Sequence, residues 1–150
     1  MSGVAQYRKT GPRTYTPLAG QSIVGGHIVE AAAGGRIQHA GALSVKHLGV
    51  ALTDAIAPEQ VVNTPTTGAD GRPVTAMYSL PPLVAVADSG IEVKVVYNAN
   101  ASFGDWLVCA AGGTVTPAGA TPDSRTVVGQ CREPLGVVVG TSPLGLMKTV

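Results

Sequence analysis

The chain has 150 residues, with 10 Lys and Arg against 9 Asp and Glu for a formal net charge of +1, a balance that gives no basis for a nucleic-acid partner. Charged residues make up 13% and aromatics 4%, with a single Trp and a single Phe, so the core must be built from aliphatic side chains, and so charge-poor a surface suits a protein that sits against other protein. No run of 18 or more apolar residues occurs, which argues against a membrane-spanning helix.

Residues 1–17, M-S-G-V-A-Q-Y-R-K-T-G-P-R-T-Y-T-P, read as an extended N-terminal arm. Arg8, Lys9 and Arg13 precede the first acid, Glu30, and Gly11, Pro12 and Pro17 prevent a helix. The arm lacks the apolar stretch of a signal peptide, so synthesis is expected in the host cytoplasm. Tyr7, Arg8, Lys9, Arg13 and Tyr15 are its candidate partner contacts, on the expectation that such a segment orders against a binding partner. Residues 18–150 are expected to form one domain.

Strand signals then follow at close spacing: Ser22–Val24, His27–Glu30, Arg36–Gln38, Ser44–Leu52, Val74–Leu80 and Leu83–Val86, with a loop-like stretch from Thr64 to Pro73. Ile91 to Tyr97 alternates as I-E-V-K-V-V-Y, the pattern of a half-exposed strand. Leu135 to Val139 is the expected closing strand, and T-S-P-L-G-L-M-K-T-V after Gly140 reads as an extra tail. The 20 Gly and 11 Pro are spread throughout and no helical periodicity is present. The fold class expected is all-β, a compact barrel or sandwich of short strands.

Within that pattern one stretch occurs twice. Gly26, Ala32, Ala33, Gly34, Gly35, Ala40, Gly41 and Ala42 recur at a constant offset of 78 residues as Gly104, Ala110, Ala111, Gly112, Gly113, Ala118, Gly119 and Ala120. After a two-residue insertion Leu48-Gly49 is matched by Val128-Gly129. The repeat units, about 26–50 and 104–130, each read as strand, Gly-Gly turn, strand and small-residue turn, which is scaffold architecture. Trp106 and Phe103, at the start of a repeat strand, are expected in the core. Cys109 and Cys131 sit in apolar strand surroundings and read as small buried hydrophobes.

Residues for chemistry are sparse. His27, His39 and His47 lie in the first repeat, with spacings that match no compact metal-ligand pattern. Asp54, Asp70, Asp88, Asp105 and Asp123 lie mostly beside Gly, Pro or Ser, where Asp is favoured for its own backbone hydrogen bonds. Neither Gly-Gly stretch precedes a helix, so neither offers a phosphate cradle. No Ser, His and acid cluster is marked. The expectation is no catalysis, no cofactor and no metal.

Four elements carry a family resemblance: Leu48 to Ala55 (L-G-V-A-L-T-D-A), Gly104-Asp105-Trp106-Leu107, Ala110 to Thr116 (A-A-G-G-T-V-T) and Leu135 to Val139 (L-G-V-V-V). In this order and spacing, over about residues 18–140, they resemble the small capsid cement (head decoration) proteins of tailed bacteriophages. The resemblance implies a compact β-barrel-like domain on the capsid exterior of a virion. Its partner would be the major capsid protein, with a homotrimer as the expected assembly and no direct contact with nucleic acid or membrane. The middle segment from Tyr78 to Asn100 has no counterpart in that pattern. The alternative reading is a β-rich carbohydrate- or receptor-binding module on a virion surface.

Overall fold

A computed structural model of the protein describes residues 11–61, 66–74 and 80–150. These form fourteen strands: β1 Arg13–Tyr15, β2 Ser22–Ile23, β3 Ile28–Ala31, β4 Ile37–His39, β5 His47–Ala51, β6 Ala55–Ile56, β7 Thr66–Thr67, β8 Pro73–Val74, β9 Val84–Ala87, β10 Glu92–Val96, β11 Trp106–Cys109, β12 Val115–Pro117, β13 Val127–Cys131 and β14 Leu144–Thr149. The protein is all-β. Two antiparallel five-stranded sheets, β1-β9-β5-β3-β4 and β10-β14-β13-β11-β12, carry the fold, and β2-β6 and β7-β8 are two-stranded additions.

The two large sheets match strand for strand, so the internal repeat is wider than the two hairpins legible in the sequence. β3, β4 and β5 correspond to β11, β12 and β13, and beyond them β9 corresponds to β14 and β1 to β10. Equivalent backbone hydrogen bonds follow. Gly26 N–H donates to Ala51 O and Gly104 N–H to Cys131 O. Ala32 N–H donates to Arg36 O and Ala110 N–H to Thr114 O. Leu18 N–H donates to Ile37 O and Asn98 N–H to Val115 O. The register breaks at the same place in each half, between Val29 and Glu30 and between Leu107 and Val108. Gly34 at φ 68° and Gly112 at φ 71° form the two equivalent turns, a left-handed backbone that glycine adopts without steric cost.

Two expectations are corrected. The segment from Arg13 to Pro17 is sheet, not arm: β1 pairs with β9, and Pro17 is buried and bridges to Ile37. Leu135–Val139 is a loop held by one bridge between Val137 and Ala101, whereas the supposed tail supplies β14, a six-residue strand inside the second sheet. Within the middle segment, β10 occupies in the second sheet the place that β1 has in the first. The expected strand Val74–Leu80 lies largely outside the described residues.

The core has two parts. One gathers Ile23, Val29, Ile37, Ala51, Ala55, Val84 and Val86 from the first half alone, with Tyr15 and Leu48 against it. The other joins Leu107, Cys109, Val115, Cys131 and Met147 of the second half to Ile28, Ala40, Val50 and Ala87 of the first. The first sheet is thus covered on both faces, and the second on one face and only in part, around Val108, on the other. Tyr97, the one buried aromatic among the described residues, donates its hydroxyl to Leu146 O at 3.1 Å, so its polar end is satisfied. Cys109 and Cys131 are both free and buried, as small hydrophobes. Burial pushes the Cys109 thiol up to about 12. Iodoacetamide near pH 8 is expected to leave Cys109 unmodified in the native protein and to modify it after denaturation, as read by mass spectrometry.

Glycine at the pairing row sets how closely the strands approach. A Cβ at Gly49 would run into the backbone of Ala87, and a Cβ at its equivalent, Gly129, into the Lys148 carbonyl and the Met147 side chain. Gly49→Ala or Gly129→Ala is therefore expected to destabilise by about 2 kcal/mol. Gly41→Ala or Gly119→Ala, where the new methyl meets nothing within 4 Å, should stay within about 0.5 kcal/mol in urea denaturation.

Candidate interaction surface

Of the arm residues read as partner contacts, Tyr7, Arg8 and Lys9 lie outside the described residues. Arg13 lies exposed on β1, an edge strand, with its guanidinium 3.7 Å from the Asp88 carboxylate. An exposed pair of that kind contributes little to stability. Tyr15, on the same strand, is half-buried and packs against the first-half core. Of the candidate contacts among the described residues, Arg13 is thus exposed at the sheet edge and Tyr15 is half-buried against the core.

The large apolar side chains on the surface lie elsewhere. Phe103 is 57% exposed and Trp106 51% exposed, so neither is core, contrary to the sequence expectation. Apolar residues do not have to be inside, and position on a sheet face decides. Trp106 begins β11, but its side chain lies on the uncovered face of the second sheet, beside Val127 and Val150. Leu135 is 97% exposed. It is displayed on the tight turn from Glu133 to Gly136, closed by Gly136 N–H to Glu133 O at 2.9 Å. Gly136, at φ 72°, fits against the Ala101 carbonyl where a Cβ would collide. Paired bonds between Ala101 and Val137, 3.0 and 2.8 Å, pin this loop to the body.

Phe103 sits on a second fixed turn, in which Ser102 N–H donates to the Asp105 carboxylate at 2.7 Å. Phe103, Leu135 and Val138 line one open groove of about 540 Å³. An adjoining groove of about 420 Å³ links Leu135 and Val138 to Leu144, with Lys94 and Glu133 on its wall. Leu144 and Val138 are 51% and 54% exposed. Together they make a fixed apolar patch with few charges, of the composition that suits contact with another macromolecule. Sequence reasoning missed it because the same V-V-V run reads equally well as a buried strand.

Chemistry is thin elsewhere. Among the described residues no three of His, Cys, Asp and Glu come together as a metal site. His27 and His39 approach, their ring centroids 5.2 Å apart. The His39 Nε2 accepts a hydrogen bond from Val24 N–H at 3.1 Å, which needs a neutral ring. Burial first, and then the His27 ring, hold the His39 imidazole below the usual histidine range. A folded-state pKa below the unfolded one makes this contribution present above about pH 6.5 and lost as pH falls. The urea midpoint is thus expected to drop between about pH 7.5 and about pH 5.5, and to drop less in His39→Gln.

The class these features define is an all-β scaffold of two equivalent sheets that displays fixed apolar loops. Two solved structures share its fold. One is the pre-mature bacteriophage phi29 gene product 12, at TM-score 0.54 and 17% identity over 98% of this chain and 23% of that one. The other is the bacteriophage phi29 gene product 12 C-terminal fragment, at TM-score 0.51 and 18% identity over 93% of this chain and 98% of the fragment. The chain therefore spans less than a quarter of the longer protein but nearly the whole of the fragment. Likeness at this identity establishes the fold alone. No family model matches the chain, and no curated protein matches it.

Proposed function

We propose that this protein is a structural component of a phage virion, without catalysis, that binds the outer surface of the capsid as a trimer. There it stabilises the shell by cementing adjacent major capsid proteins. The observation that carries the proposal is the fixed apolar patch of Phe103, Leu135, Val138 and Leu144 on a charge-poor scaffold. Two other lines support it: the sequence resemblance to cement proteins, and a fold shared with a bacteriophage protein. A cement protein works through many modest contacts repeated by symmetry, so avidity replaces any single strong site. Loops pinned by backbone bonds lose little entropy on docking, and this favours such contacts.

The second reading is a carbohydrate- or receptor-binding module on a virion surface. It is favoured by one observation, the exposure of Trp106 and Phe103, since glycan sites present aromatic faces to solvent. Copy number separates the two. A ratio near one copy per major capsid protein in purified particles is expected of a cement protein, whereas a few copies per particle would support the receptor-binding reading. In capsid co-sedimentation, Leu135→Asp is expected to weaken attachment at least about tenfold while leaving the melting temperature unchanged. Deleting residues 1–10, which keeps β1, tests the arm: a weaker attachment assigns it to the capsid. Unaltered binding of both variants would overturn the placement of the contact surface.

A further inference from the structure

The two halves of the chain are alike, yet they do not meet symmetrically. The second-half turn at Gly113 docks on the first half: Gly113 N–H donates to Ala40 O at 2.9 Å, and a Cβ there would run into the Ile28 carbonyl. Leu43 N–H adds a bond to Cys109 O at 2.9 Å. The receiving surface on the first half is the row Ile28–Val50–Ala87, in register across β3, β5 and β9, together with Ala40. All four are buried in the shared core. A two-fold relation would repeat this contact in the other direction. It is not repeated. Gly35, the equivalent of Gly113, is exposed and a Cβ there would meet nothing within 4 Å.

The equivalents of both surfaces are therefore left over. The second-half row matching Ile28–Val50–Ala87 is Trp106–Gln130–Lys148, in register across β11, β13 and β14. Trp106 and Lys148 are exposed, and Ala118, the equivalent of Ala40, is half-buried where Ala40 is buried. On the other side Ala31 and Gly35 are exposed where their equivalents Cys109 and Gly113 are buried. One end of the chain offers an unused turn, and the other an unused sheet face of the geometry that already receives such a turn.

We infer that copies of this chain associate head to tail, the turn around Ala33–Gly35 of one docking on the Trp106–Gln130–Lys148 face of the next, in continuation of the packing inside each chain. The occupant is a second copy because the complementary turn is part of the same molecule and already has its partner geometry within the fold. Such a heterologous contact closes into a ring or runs on as a filament. The row is more polar than its first-half equivalent, so the contact is weaker than the internal one and reversible. This inference rests on the repeat and not on the capsid reading, and either can fail alone.

The test is sedimentation velocity of the full chain from about 1 μM to about 500 μM. Emission from Trp106, the single tryptophan, is followed in parallel. Association with a blue shift over the same concentration range is expected. Trp106→Glu and Ala31→Glu should each weaken self-association at least about tenfold. Mixed together, these two variants should form a 1:1 heterodimer that goes no further, because each retains one intact face. A symmetric interface would not be rescued by mixing. Trp106→Gln and Ala31→Gln serve should either first variant fail to fold. Wild-type protein that stays monomeric without a spectral shift would overturn the inference. Association unaffected by changes on both faces, or the lack of a heterodimer on mixing, would also overturn it.

Discussion

The packing of this molecule depends on a single close approach, the seating of the Gly113 turn on the outer face of the first sheet. Only a residue without a Cβ lies that near the Ile28 backbone, and the bond to Ala40 O fixes the distance. Once the turn is seated, Ile28, Val50 and Ala87 share a core with Leu107, Cys109 and Met147. The first sheet then has apolar neighbours on both faces, whereas the second leaves part of one face, with Trp106 and Lys148, in water. A sheet covered on both sides needs consecutive apolar residues, and one covered on a single side needs alternation. The strands of the first sheet and β10 follow this, while β11 buries Leu107, Val108 and Cys109 in a row. Ile28-Val29, Val50-Ala51 and Val86-Ala87 are buried in adjacent pairs, while β10 alternates with Glu92 and Lys94 exposed.

The same constraint explains the composition. Closely spaced strands leave room for Val, Ala and Gly and little for rings. Tyr97 is accommodated because Gly145 and the small side chain of Val137 leave space beside its ring, where a Cβ at Gly145 would come within 3.0 Å of it. The other large apolar side chains are displaced outward, onto the uncovered face in the case of Trp106 and onto tight turns in the case of Phe103 and Leu135. Surface loops held by a rigid scaffold are where proteins place their recognition residues. Here the rigidity comes from backbone bonds such as those pinning Val137 to Ala101, so apolar groups are held in water without collapsing onto the core.

What was legible in the sequence was whatever a local backbone requirement had written there. The Gly-Gly turns recur because a left-handed residue is needed at Gly34 and Gly112, and glycine meets that need at small cost. The all-β class, the alternation of β10 and the burial of both cysteines were legible for similarly local reasons. The equivalence of β1 with β10 and of β9 with β14 was not. Strand pairing fixes backbone register and not residue type, and the first half carries β6, β7 and β8 between β5 and β9. Strand β14 was hidden by Pro143 and Gly145, which read as loop punctuation although Gly145 is there to clear Val137 and Tyr97. The exposed patch was unreadable because apolar character does not reveal which face of a strand or turn a side chain occupies.

On the head-to-tail association proposed above, the exposed row on the second sheet distinguishes a surface that folds a chain from one that would join chains. Ile28, Val50 and Ala87 would be a hazard in water, and they are covered as soon as the chain folds. At the equivalent positions Trp106, Gln130 and Lys148 combine one large apolar side chain with an amide and an ammonium, a composition that stays soluble while unpaired. An aromatic anchor within a polar row is typical of reversible interfaces. Repetition on a lattice multiplies such a contact without strengthening any one of them. Equivalent backbone geometry thus carries permanent packing in one half and an exposed row in the other, and the difference lies in three side chains along a single row of the sheet.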